Sequence, residues 1–196
     1  LALPGNLIDD DLTKILVQNL MLNKTISQLD LAHNKIGNSG ARKIAKYILQ
    51  TQILTHLNLN DNCISYDGSR FLAQALKVNK SLISLDLALN RLDDKAGSKL
   101  CLDLLNNNSG LEYIGLSANQ LGNMFCESLA EFVNVNESIQ SVDVSCNNIQ
   151  ESNAETLMES LEKNPNITKI DVRSNEFVTE TVEAINDIVM KNFLKQ

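Results

Sequence analysis

Apolar positions recur along this chain in one frame, anchored on an asparagine. Asn6, Asn34, Asn62, Asn90, Asn119, Asn147 and Asn175 follow one another at intervals of 28, 28, 28, 29, 28 and 28 residues. Five and three residues before each asparagine the side chain is aliphatic, and two residues after it is aliphatic again, except at Phe177. Residues 26–36 read ISQLDLAHNKI, residues 82–92 read LISLDLALNRL, and residues 139–149 read IQSVDVSCNNI. Two aliphatics separated by one residue have the period of a short strand with one buried face. Ten and fourteen residues past the asparagine every copy is apolar again: Leu16 and Leu20, Ile44 and Ile48, Leu72 and Leu76, Leu100 and Leu104, Leu129 and Val133, Leu157 and Leu161, Ile185 and Val189. That spacing puts both side chains on one face of a helix. Seven residues past the asparagine the side chain is mostly small (Ala41, Ser69, Gly97, Cys126, Ala154), which predicts close packing of helix on strand. Ser39, Asp67, Asp94 and Ser152 stand where helix N-caps are expected.

Each unit thus predicts a strand, a turn at the asparagine and a helix. Repetition of that unit predicts parallel strands joined by right-handed crossovers. Helices are wider than strands, so the stack bends with the strands inside. The expected architecture is an α/β solenoid, a right-handed horseshoe with parallel strands on the concave face and helices on the convex face. It is read as one domain, residues 1–196, of about seven 28-residue repeats. A single repeat cannot bury its own apolar face, and neighbours do so for each other. The asparagine amide both donates and accepts, so Asn6, Asn34, Asn62, Asn90, Asn119, Asn147 and Asn175 are expected to form a structural ladder for loop backbone groups. The first repeat is truncated at Leu1, and the chain is read as a fragment with an unseen upstream region. The helix from about Thr179 to Leu194 reads as the last layer, and the extra residue of the long interval is placed in the Asn106-Asn107-Asn108 loop.

Composition narrows the function. Aromatics make up only 4% of the chain against 43% apolar residues, which suits thin layers whose buried positions have a fixed, modest volume. No run approaches the roughly 20 apolar residues that span a bilayer. The net charge of −7 is uneven. Residues 1–98 carry 11 Lys and Arg against 9 Asp, whereas residues 99–196 carry 6 against 15 Asp and Glu. An acidic domain without a basic stripe argues against nucleic acid, whose binding depends on phosphate neutralisation, and against anionic membranes. Cys63, Cys101, Cys126 and Cys146 match no zinc or redox spacing and read as small hydrophobes or incidental thiols, in keeping with a reducing, cytoplasmic setting. His33 and His56 have no metal-ligand spacing. There is no Gly-rich phosphate loop and no nucleophile–base pair. The expectation is no enzyme, no catalytic residue, no metal, no cofactor and no small-molecule substrate.

The candidate chemistry is therefore recognition of protein. Asp30, Asn58, Asp86, Gly115, Asp143 and Asp171 occupy one strand column expected to face the concave side, a column able to hold a basic partner segment. His56, Tyr113, Arg91 and Arg173 lie near it, and Tyr and Arg are frequent interface anchors. The predicted protein-binding set is Asp30, His56, Asp86, Arg91, Tyr113, Asp143, Asp171 and Arg173. Five Asn-x-Ser/Thr sequons, at Asn23, Asn79, Asn107, Asn136 and Asn166, all fall in the turn before a strand and read as turn chemistry. On the helices, Arg42, Lys43, Lys46, Arg70, Lys77 and Lys99 predict a basic convex patch, and Glu127, Glu131, Glu155, Glu159 and Glu162 an acidic one.

The frame L-x-x-L-x-L-x-x-N-x-[IL], with a 28-residue period and a full helix per repeat, resembles the ribonuclease-inhibitor-like leucine-rich repeats over the whole chain. That resemblance implies a protein-binding horseshoe; in such repeats Asp is common in the strand column. The segments SLDLALNRLDDKAGSKLCLDLL, SVDVSCNNI and ITKIDVRSNEF resemble the leucine-rich-repeat subunit family of the nexin–dynein regulatory complex. This implies a structural subunit of the ciliary axoneme, held in a larger assembly and regulating dynein. LAQALKVNKSLISL resembles NOD-like receptor sensors and tropomodulin-like actin caps as well, and Ran GTPase-activating proteins have similar repeats.

Overall fold

The computed structural model describes residues 1–104 and 110–195. The extra loop residue and the sequon at Asn107 lie outside these residues. Seven helices and six strands alternate: α1 Asp10–Leu20, β1 Gln28–Asp30, α2 Asn38–Gln50, β2 His56–Asn58, α3 Tyr66–Leu76, β3 Ser84–Asp86, α4 Asp94–Leu104, β4 Tyr113–Gly115, α5 Asn123–Val135, β5 Ser141–Asp143, α6 Ala154–Lys163, β6 Lys169–Asp171 and α7 Thr179–Phe193. A 3₁₀ turn at Glu151–Asn153 leads into α6. The strands form one parallel sheet in the order β1-β2-β3-β4-β5-β6, each residue paired with its equivalent in the next repeat, so that Leu57 opposes Leu85 and Leu85 opposes Ile114. Ala2 bridges Asp30 and extends the sheet into the first repeat. Helices need about 8–10 Å between axes and parallel strands only about 4.8 Å. The sheet therefore lines the inside of the bend.

The core is a continuous wedge between sheet and helices. Leu29, Leu57, Leu85, Ile114, Val142 and Ile170 are buried in one strand column, and Leu31, Leu59, Leu87, Leu116, Val144 and Val172 in the next. Ile44 and Ile48, Leu72 and Leu76, and their equivalents through Leu157 and Leu161 meet them from the helices. Three aromatics join this aliphatic core, Tyr47, Phe125 and Phe132, and Phe125 is fully buried. It fits because the preceding repeat has Gly97, where a Cβ would come within 2.7 Å of the Phe125 ring.

Asparagines close the turns across repeats. The Asn90 amide donates to Leu59 O at 2.9 Å and Leu87 O at 3.1 Å, and Ile64 N donates to its oxygen at 2.9 Å. Asn34, Asn62, Asn119, Asn147 and Asn175 repeat this scheme. Asn6 does not: its amide reaches only Pro4 O, in an exposed loop. The residue before each asparagine turns left-handed, with φ of 69° at Gly5 and 55°, 50°, 52°, 52°, 55° and 56° at His33, Asp61, Leu89, Ala118, Cys146 and Ser174. Six of these carry a side chain, at roughly 1–2 kcal/mol each. The buried hydrogen bonds of the asparagine offset that strain.

A second column acts where local capping was expected. Ser39 and Asp67 lie inside helices, Asp94 is the first residue of α4, and Ser152 falls in the 3₁₀ turn. None caps its own helix as the sequence pattern suggested. The residue four past the ladder asparagine instead caps the helix of the next repeat. Asp10 accepts from Gly37 N and Gly40 N at 2.7 and 2.8 Å, Asn38 from Ser65 N and Gly68 N at 2.9 and 3.0 Å, and Asp94 from Gly122 N and Phe125 N at 2.9 and 2.7 Å. The cap positions of α2 and α5 are Gly37 and Gly122, which have no side chain to offer. A carboxylate or amide brought by stacking takes over. Tyr66 interrupts the column, and there Asp93 serves α4 locally, accepting from Ala96 N at 2.8 Å.

A third column lies where α3, α6 and α7 end. Asn79 is 2% exposed; its amide donates to Ile48 O and Thr51 O, and its oxygen accepts from Ser81 N and Leu82 N. Asn164 and Asn192 repeat the amide contacts with the preceding repeat. The sequons at Asn79 and Asn136 thus have buried asparagines, whereas Asn166 stands two residues past its column, with its amide on Glu137 O.

Candidate functional site

Strand alternation sends Leu57, Leu85 and Ile114 into the core and turns their neighbours onto the inner face. Two rows result: Gln28, His56, Ser84, Tyr113, Ser141 and Lys169, and beside it Asp30, Asn58, Asp86, Gly115, Asp143 and Asp171. The acidic row also serves the fold. Asp30, Asp86, Asp143 and Asp171 each accept the backbone N–H two residues on, at 3.0, 2.9, 3.0 and 3.1 Å. In Asp30, Asp86 and Asp143 one oxygen is committed to the turn and the other is left to the inner face, whereas both oxygens of Asp171 also meet Arg173.

The structure brings four of the predicted residues together. Asp30, His56, Asp86 and Tyr113 line one cavity of about 430 Å³, with Asn58 and Ser84 between them. Gly115 shapes its end: a Cβ there would lie 2.7 Å from both the Tyr113 hydroxyl and an Asp86 oxygen. The missing side chain is the room in which the tyrosine lies. Asp143 pairs in register with Gly115 on the far side. Burial raises the Asp86 carboxyl above its ordinary range, and the negative fields of Asp143 and Asp30 add to it against the Ala88 hydrogen bond. Burial, then Asp86 and Asp143, pushes the Tyr113 hydroxyl up to about 12. Both shifts come first from burial, and the neighbouring carboxylates add to them.

Asp171 and Arg173 sit apart, at the last strand. The Arg173 guanidinium donates to Asp171 at 2.9 Å and holds that carboxyl below its usual range. Arg91 lies in the loop beyond Asn90 rather than on the strand face, since β3 ends at Asp86, and its side chain is exposed. His56 bonds the Thr55 hydroxyl at 2.8 Å, and His33 stands on the loop rim, 2.8 Å from Asp61.

The expected basic convex patch is partly neutralised. Lys77 and Lys99 both reach Asp103 at 2.8 Å. Burial alone would raise the Asp103 carboxyl, but these two ammonium groups hold it below its ordinary value. Arg42 and Arg70 flank Phe71, each 5.2 Å from the ring centroid. The missed residues are the cross-repeat caps. Reading within one helix names Ser39, Asp67, Asp94 and Ser152 as local caps, whereas Asp10, Asn38 and Asp94 act one repeat further on. Cys101 and Cys126 are buried free thiols, the latter pushed up to about 12 by burial, while Cys146 is exposed. Among the described residues, no group of three His, Cys, Asp or Glu could hold a metal, and no helix is long and apolar enough to cross a membrane.

Stacked strand–turn–helix units on an asparagine ladder define a leucine-rich-repeat solenoid, a protein-interaction module. The family profile described as Leucine Rich repeat matches residues 22–45, 52–73, 78–101 and 135–157. The chain is a leucine-rich-repeat protein of the ribonuclease-inhibitor-like type, and it resembles dynein regulatory complex subunit 5. It is 40% identical to Dynein regulatory complex subunit 5 of Macaca fascicularis over 78 residues, 40% of this chain and 15% of that protein. It is 30% identical to the Ribonuclease inhibitor of Sus scrofa over 58% of this chain and 25% of that protein. With NACHT, LRR and PYD domains-containing protein 5 of Mus musculus it shares 32% over 63% of this chain and 11% of that protein. The chain thus spans a quarter or less of the length of these relatives. Two solved structures share the fold: Leiomodin-1 Actin-Binding Site 2, with a TM-score of 0.68 over 81% of this chain and 90% of that one at 16% identity, and the Caenorhabditis elegans tropomodulin C-terminal domain, with a TM-score of 0.59 over 93% and 94% at 15% identity.

Proposed function

We propose that this chain is a non-catalytic scaffold that grips a basic segment of a partner protein on its concave face. The observation that carries the reading is the cavity where Tyr113 lies over Gly115 against Asp86, with Asp30 and Asp143 adding negative charge. An extended segment carrying Lys or Arg would set its cation between these carboxylates and its stem on the tyrosine ring. Nucleic acid and anionic membranes would be repelled by the same face. The larger assembly is the axonemal nexin–dynein regulatory complex, in which the chain is a structural subunit beside dynein in the cilium or flagellum. The 40% identity with the macaque subunit supports this choice. A second reading is an actin-capping or actin-binding module, favoured by the likeness to the leiomodin and tropomodulin structures. A third, a receptor sensor domain, follows the mouse NACHT relatives.

The test is fractionation of tagged full-length protein from ciliated cells, with Tyr113→Ala beside it. Retention on detergent-extracted axonemes, release together with the other regulatory-complex subunits and loss of that retention in Tyr113→Ala are expected. Wild-type protein in the soluble fraction that binds actin filament ends would replace the axonemal reading with the second. Full retention of Tyr113→Ala would move the grip away from the concave face.

A further inference from the structure

The helical side of the solenoid carries a second interaction surface, across the core from the acidic cavity. Eight residues past the ladder asparagine stand Lys14, Arg42 and Arg70 on α1 to α3, then Ser98 on α4, then Glu127, Glu155 and Glu183 on α5 to α7. Four residues further, one helical turn along the same face, Lys46 of α2 is matched by Glu131 of α5 and Glu159 of α6. The charge of this face therefore changes sign at α4. Lys14, Arg42 and Lys46 are exposed and enter no ion pair among the described residues. Arg70 meets Asp67 at 3.7 Å, beyond hydrogen-bond length, and its Nε is buried without a hydrogen-bond partner among the described residues.

Phe71 organises the basic half. It is partly buried against the core, and the Arg42 and Arg70 Cζ atoms each lie 5.2 Å from its ring centroid. The ring attracts both guanidiniums and fixes where they stand. The two cations are thus no more than twice that distance apart. Their mutual repulsion, which Asp67 relieves at Arg70 alone, falls when a further carboxylate lies between them. A carboxylate also takes a guanidinium through two parallel, charge-assisted hydrogen bonds, acceptors that the fold itself does not supply here.

We infer that this surface holds an extended acidic segment of a partner protein, separate from the basic segment of the concave face. Charge complementarity names the occupant, and the repeat sets its spacing. Neighbouring helices stand about 8–10 Å apart. Three residues of polyproline II advance about 9 Å and return to the same side. A segment with Asp or Glu at every third residue therefore offers one carboxylate each to Lys14, Arg42 and Arg70. A narrow chain fits where a broad anionic surface does not: a membrane or a duplex laid on α1 to α3 would also meet the carboxylates of α5 and α6.

The probe is a fluorescein-labelled peptide of four Glu-Pro-Pro triplets, titrated into the full chain and read by anisotropy. Saturable binding is expected, weakened about fivefold by Arg42→Gln and by Arg70→Gln with an unchanged circular dichroism melt. Phe71→Leu keeps the charge and is expected to weaken binding as well, since nothing then orients the pair; should that variant unfold, the exposed Arg42→Gln carries the test. Lys191→Gln removes the same charge from α7 and is expected to leave binding intact. Tyr113→Ala is expected to do the same, which separates this surface from the concave grip. The proposal is overturned by an absence of saturable binding, or by equal weakening in Lys191→Gln, which would reduce the effect to net charge. Self-association of the peptide-free chain that Arg42→Gln abolishes would make the occupant a second copy instead. Sedimentation with phosphatidylserine vesicles, lost in Arg42→Gln, would replace the segment with a lipid surface.

Discussion

The Tyr113 hydroxyl lies 2.7 Å from the point where a Cβ on Gly115 would stand, two residues further along the same strand. Asp86 of the neighbouring strand reaches the same point at 2.7 Å. One absent side chain therefore lets an aromatic ring and a carboxylate share the inner face, where each of the other five strands, β1 to β3, β5 and β6, has Asp or Asn.

Gly115→Ala is expected to fold, because both groups it displaces are the far ends of flexible side chains. Tyr113 then swings toward solvent and loses the burial that is the largest cause of its shift. Its titration midpoint, read from tyrosinate absorbance, should fall from about 12 toward the ordinary 10. A midpoint that stays high would mean that the negative field of Asp86 and Asp143, rather than burial, holds it.

Asp86 and Asp103 should respond to pH with opposite signs. The Asp103 carboxyl is held below its ordinary 3.8 by Lys77 and Lys99 despite burial, so its stabilisation is complete above that value and is lost as pH falls through the lower folded value. Asp103→Asn should therefore lower stability at pH 7 and converge with the parent in strong acid. The Asp86 carboxyl is raised by burial, so the folded state binds its proton more tightly and stability drops as pH rises from 3.8 through the folded value. Asp86→Asn keeps the oxygen that accepts from Ala88 N and should be more stable than the parent at pH 7, a gain that vanishes below pH 3.8. Urea titrations across pH check both signs.

Asn90→Ala removes a buried side chain that donates to Leu59 O, Leu87 O and Ala88 O and accepts from Ile64 N. Leaving those groups unpaired is expected to cost about 2–4 kcal/mol. Asn6→Ala, at the exposed end of the ladder, should cost under about 0.5 kcal/mol. Equal melting temperatures for the two variants would refute the ladder as a source of stability.

Asp94→Ala should fray a helix to which the residue does not belong. Its carboxylate accepts from Gly122 N, Met124 N and Phe125 N, so α5 loses its cap at about 1–2 kcal/mol while Asp93 still caps α4. Hydrogen exchange should quicken at Gly122 and Phe125 and remain unchanged at Ala96. Faster exchange at Ala96 instead would restore the local capping logic.

The repeat, its period and the buried columns were legible in the chain itself. Leu57 and Leu59, or Ile44 and Ile48, lie on one face because strand and helix geometry are local and the spacing is strict. The asparagine ladder followed from the same regularity, since a buried turn needs a group that both donates and accepts. The helix caps were not legible: a pattern within one helix names Ser39 or Asp67, whereas the oxygens that reach the first N–H groups come from Asp10, Asn38 and Asp94, a full repeat earlier. The inner face divided in the same way. Its acidic column could be read in sequence, but the gathering of Asp30, His56, Asp86 and Tyr113 into one cavity, the placing of Arg91 in a loop and the pairing of Arg173 with Asp171 could not. Periodicity determines which face a residue takes within its own repeat. Which groups meet across repeats depends on stacking register and on the space that Gly115 and Gly97 leave, and only the packed solenoid decides those.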